Sequence, residues 1–90
     1  MKKASLSSNV EKTLADRQKT HGDFNTHSKI SQALKGVVLA HATKTNDAQD
    51  EALEMICHKI ARILNGDPNV HDHWHDIAGY ATLVAKELEK

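Results

Sequence analysis

Ninety residues make one domain, and a chain this short buries only a modest share of its surface. The composition is 39% hydrophobic but 3% aromatic, so the core must be aliphatic, which favours helices over strands and invites oligomerisation to supply the missing burial. Twelve acidic residues balance twelve basic ones, which argues against a nucleic-acid binder, and no apolar run approaches the ~20 residues that span a membrane.

Four helices are predicted. The first spans Ser8–Lys19, capped by Ser7 or Ser8, with Val10, Leu14 and Arg17 on one face and residues 1–7 frayed. Thr20–Asn25 reads as a turn built on Gly22, with Phe24 plugging into the core. The second helix runs from a Thr26 cap to about His41, with Ile30, Leu34, Val37 and His41 in one stripe, Ala33 and Val38 beside it. After the polar linker Thr43–Asn46, the third is capped by Asn46 or Asp47 and buries Leu53, Ile56, Cys57, Ile60 and Leu64, until Gly66-Asp67-Pro68-Asn69 stops it. The fourth starts within His71–Trp74 and runs to the end, with Trp74, Ile77, Ala78, Ala81, Ala85 and Leu88 facing the core. Ala78 and Gly79 suggest a close helix crossing. The fold class is all-α, a small antiparallel bundle of about four helices, expected to be oligomeric and to form one domain over residues 1–90. The single Cys57 allows no intrachain disulfide and fits a reducing compartment. Lys2 and Lys3 have no hydrophobic run behind them, so no signal peptide is expected and a cytoplasmic location is.

Three constellations could carry chemistry. Glu51 and Glu54 lie three apart on a helix, where two carboxylates repel unless a cation such as Mg²⁺ sits between them. The plainer alternative is a solvated acidic face near a helix N-terminus. In His71-Asp72-His73-Trp74-His75-Asp76, the pairs His73/Asp76 and Asp72/Asp76 can each face one site, which with Glu51 and Glu54 would make a carboxylate metal site between facing helices. In an antiparallel pair the starts of the two helices lie at opposite ends, so Glu54 must meet Asp76 across the middle or across a subunit interface. Lys59 and Arg62 share a face and could hold a phosphate, or pair with acids of the same chain. Two of the clustered histidines with His58 could in principle hold zinc, but their alternation suits a loop or helix start poorly.

Arg17-x-x-Thr20-His21-Gly22-Asp23-Phe24, Lys59-Ile60-Ala61-Arg62-Ile63 and Trp74-x-Asp76-Ile77-Ala78-Gly79-Tyr80-Ala81 resemble, over about residues 15–88, a family of small uncharacterised proteins encoded mainly by phages and prophages. More distantly, the chain is similar to the all-α nucleoside triphosphate pyrophosphohydrolases of the MazG type, whose helices carry an E-x-x-E and an E-x-x-D pair that bind Mg²⁺. Glu51-x-x-Glu54 matches the first pair, and His73-x-x-Asp76 stands in the second with His for Glu. This likeness implies hydrolysis of a (deoxy)nucleoside triphosphate in the host cytoplasm. Glu51, Glu54 and Asp76 would be catalytic, Asp72 a further metal ligand, Lys59 and Arg62 phosphate-binding, and Trp74 or Tyr80 base-stacking. The alternative is a non-catalytic protein that binds a nucleotide-like ligand or a host protein.

Overall fold

A computed structural model describes residues 2–90, with side chains from Asn9 onward. It is all-α, with α1 at Lys2–His21, α2 at Phe24–His41, α3 at Asp47–Asn65 and α4 at His71–Leu88. The expected fraying of residues 1–7 concerns Met1 and side chains outside those described, while the helical backbone begins at Lys2.

The helix boundaries follow from local chemistry. The Asp23 side chain accepts from the Thr26 backbone N–H at 3.0 Å, so α2 begins at Phe24, two residues before the expected cap. Asn46 opens α3 with a reciprocal pair: its side chain accepts from Gln49 N–H at 2.8 Å, and the Gln49 side chain accepts from Asn46 N–H at 3.0 Å. Gly66 ends α3 by donating to the Arg62 carbonyl at 2.9 Å.

The backbone of α3 packs against α2 on one side and α4 on the other, α1 lies on α2 and α3, and α4 reaches α1 through His73, whose ring lies 5.1 Å from that of His21. The particle is elongated, 53 × 28 × 26 Å. The ends of α1 and α3 meet backbone to backbone. Gly22 has φ of 78°, and a Cβ there would overlap the Asn65 carbonyl, while a Cβ at Gly66 would overlap the Thr20 carbonyl. Across this junction Asp67 N–H donates to the Thr20 carbonyl at 3.0 Å.

Which faces are buried differs from the hydropathy reading. Phe24 does not plug the core; it is 76% exposed. In α2 the buried residues are His27 and Ser31, flanked by half-buried Ile30, Leu34 and Val38, while Val37 and His41 point outward. In α3 the buried set is Ala52, Cys57, Lys59, Ala61 and Ile63, and Leu53 and Leu64 are exposed. A helix sandwiched between two others is covered on two sides, so one apolar stripe does not predict its core. In α4 the inward residues are His73, Asp76, Ile77, Tyr80 and Val84, and Trp74, Ala78, Ala81, Ala85 and Leu88 face out. Polar residues take the inner face of α4 because they find partners there: Lys59 for Asp76 and the Thr20 carbonyl for His73.

Candidate functional site

The residues expected to act together are dispersed. Glu51 is exposed, and Glu54 borders a groove of about 250 Å³ between α2 and α3, shared with Lys35 and Asp50. Asp72 is exposed with His71 Nδ1 3.6 Å away. Asp76 is engaged by Lys59, Nζ to Oδ2 at 2.7 Å, with the lysine side chain only 11% exposed. Among the described residues no group of three or more His, Cys, Asp or Glu is placed to hold a metal ion. Within one copy the carboxylates Glu51, Glu54, Asp72 and Asp76 are therefore not gathered around a common point. His71 and His75 stack at 5.6 Å on the surface, away from His73, which is turned inward. The Trp74 indole N–H donates to the Pro68 carbonyl at 2.8 Å, tying the ring to the preceding turn, and Tyr80 is half-buried on the inner face of α4.

Lys59 and Arg62, three apart, go to different neighbours. Lys59 turns to α4 and is neutralised by Asp76. Arg62 turns to a cleft of about 380 Å³ between α1, α2 and α3, lined also by Arg17, His21, Phe24, His27 and His58. Neither Arg17 nor Arg62 has a carboxylate within ion-pairing distance among the described residues. The one acid at the rim, Asp23, is occupied in capping α2, where it accepts from both the backbone and the hydroxyl of Thr26.

The cleft is held in shape by α3. The Asn65 amide donates to the Asp23 carbonyl at 2.7 Å and to the His21 carbonyl at 3.2 Å, which fixes the α1–α2 turn. His27 Nε2 and His58 Nδ1 share a hydrogen bond at 3.3 Å, their rings edge to face at 4.6 Å. The other nitrogen of His27, Nδ1, is buried without a partner. The Phe24 ring stacks on His27 at 6.2 Å and 28°, and leaves most of its surface to solvent.

The electrostatics are one-sided. Burial, followed by the nearby Arg62, pushes His21 and His58 down from 6.5 to about 4, and lowers His27 for the same reasons. All three rings are neutral at pH 7. Burial and then the neighbouring Arg17 lower Arg62 as well, but a guanidinium stays charged at any ordinary pH. The cleft therefore presents two guanidiniums with no carboxylate in ion-pairing contact among the described residues, Asp76 acting on Arg62 only from a distance, beside neutral imidazoles that can donate or accept hydrogen bonds.

The histidines give a first expected result. A group whose folded pKa is depressed contributes stability above its unfolded pKa and loses it as pH falls through the folded value. For His21 and His58 that window is 6.5 down to about 4. The melting temperature should therefore fall steadily from pH 7 to pH 4, and His58→Gln, which cannot protonate, should flatten the slope. A melting temperature constant over that range would show that these rings are not held neutral by the fold.

Sequence reasoning reached Arg62, weighed His58 only as a zinc ligand, and missed Arg17, His21, His27 and Asn65 as site residues. The signal was present in Arg17-x-x-Thr20-His21-Gly22-Asp23-Phe24, where four chemistry-bearing side chains crowd a helix end and a forced turn. His27 and His58 carry no local signal, since each looks like an ordinary helix position until the helices meet.

A family described as a domain of unknown function, DUF6378, matches residues 5–88. The chain belongs to that family. The match takes in all of α2, α3 and α4 and most of α1, so both arginines of the cleft lie within the DUF6378 domain. No curated protein and no solved structure matches the chain. The description of DUF6378 assigns no activity.

Proposed function

We propose that this DUF6378 protein binds a phosphorylated, nucleotide-like small molecule in the cleft between α1, α2 and α3, as a binding module that needs no metal. The observation that carries the reading is the convergence of Arg17 and Arg62 on one cleft with no carboxylate to neutralise them. Burial and the neighbouring Arg17 both weigh against the charge on Arg62, and a phosphate in the cleft would relieve that cost. Arginine suits phosphate because its planar fork can make two parallel hydrogen bonds. The cleft volume lies within the range of small-molecule sites. At its mouth Phe24 offers a flat, exposed ring on which a base can stack.

Calorimetric titration of the full chain with phosphate, pyrophosphate, and adenosine mono- and triphosphate tests this, with and without Mg²⁺. The expected result is binding in the presence of a chelator, tighter for the nucleotides than for phosphate, and no release of pyrophosphate. If none of the four binds, the reading fails. If binding needs Mg²⁺ and the triphosphate is cleaved, the protein is a pyrophosphohydrolase whose carboxylates are completed by another copy.

A further inference from the structure

We infer that the outward face of α4 is where a second copy of this chain packs. Trp74, Ala78, Ala81, Ala85 and Leu88 follow one another at spacings of four, three, four and three, the period of a seam between paired helices. All five are exposed, Trp74 by 55% and Leu88 by 70%, and none carries a charge. The backbone of α4 packs on α3, and among the described residues nothing covers this outward face.

The surface left over is of the size an interface would remove. The chain exposes 6889 Å², whereas a folded monomer of 10.0 kDa exposes about 5,200 Å². The excess, about 1,700 Å², is spread over the chain and includes the exposed length of α1, and it leaves room for an interface of standard size, which hides ~800 Å² on each partner. The radius of gyration, 16.1 Å, is likewise larger than the ~12 Å of a compact 90-residue globule. Among the described residues no large side chain is fully buried, and the buried apolar set is small: Ala52, Cys57, Ala61 and Ile63. One chain alone has little core, and a second copy supplies the rest.

The pattern also selects a copy of itself as the occupant. The stripe is bulky at both ends and small in the middle, with Ala81 at its centre. About a two-fold axis through Ala81, Trp74 lies over Leu88 of the second copy and Ala78 beside its Ala85, large against large and small against small. The three alanines let the helix axes approach to about 8 Å. A formal net charge of zero adds no repulsion between copies.

Light scattering at micromolar concentration should give a mass of at least about twice the 10.0 kDa of the chain. Ala81→Glu should reduce it to a helical monomer, because each two-fold pairing of the stripe sets this position against itself. Val37→Glu, on an exposed part of α2, should leave the assembly intact. Should Ala81→Glu fail to fold, Ala81→Cys keeps the test decisive: under oxidation it should form a covalent dimer, with the buried Cys57 unable to compete. A wild-type protein that is monomeric, an Ala81→Glu protein that stays assembled, or an Ala81→Cys protein that does not cross-link each overturns the inference.

Discussion

Arg62→Ala is expected to weaken binding of a phosphorylated ligand by about tenfold or more, the loss that follows when one charge-assisted hydrogen-bonding group of roughly 1.5–3 kcal/mol is removed. Arg62→Lys should recover only part of it, since the charge returns without the planar fork. Arg17→Ala should behave in the same way, because the two guanidiniums reach the cleft from different helices and neither is spent on a carboxylate. The double variant should lose less than the product of the single losses, since both groups serve one ligand. Lys44→Ala, in the exposed linker, is the matched control for loss of a positive charge and should bind as the unmutated protein does. Titration calorimetry with pyrophosphate at fixed salt measures all five, and an Arg62→Ala protein with unchanged affinity would remove the cleft as the binding site.

The cleft also shows what can be read from one sequence. Helices and their breaks are local, and they were legible: the Asn46–Gln49 capping box, the turn at Gly22 and the stop at Gly66 each leave a mark within four residues. The direction a face takes is not local. In α4 the hydropathy pattern points Trp74, Ala78, Ala81, Ala85 and Leu88 inward, and it is the pairing of Asp76 with Lys59, seventeen positions earlier, that helps turn the helix the other way. A buried charge looks costly until its partner is known. The same holds for α3, where residues three apart sit about 60° apart around the helix. That small angle is enough to send Lys59 toward α4 and Arg62 toward α1 and α2, because α3 has neighbours on both sides.

Lys59 and Asp76 therefore link the orientation of α4 to the charge left in the cleft. With Asp76 holding Lys59, the cations that remain for a ligand are Arg17 and Arg62. The spacing of Lys59 from Arg62 suggests a phosphate ligand, and in this arrangement the Lys59 ammonium is held by Asp76. The pairing also bears on metal chemistry, since a carboxylate 2.7 Å from an ammonium is already neutralised and a poor partner for a hard cation.

Asp76→Asn is expected to lower the melting temperature by a few degrees, because Lys59, whose side chain is only 11% exposed, loses the carboxylate that meets its ammonium. Adding Mg²⁺ should not shift the melting temperature of the unmutated protein, as it would if the carboxylate were held by the metal. Lys59→Met in the Asp76→Asn background should restore much of the loss, since the buried position then carries no charge and keeps its volume. Acid titration gives an independent reading. The hydrogen bond from Lys59 holds Asp76 below its usual range, so the carboxylate contributes stability above the ordinary carboxylate pKa and loses it as pH falls through the depressed value. That limb lies below about pH 4, under the histidine limb, and Asp76→Asn should abolish the lower limb while leaving the upper one in place. Equal melting temperatures for Asp76→Asn and the unmutated protein, together with an unchanged acid limb, would show that the pair does not hold α4 against α3.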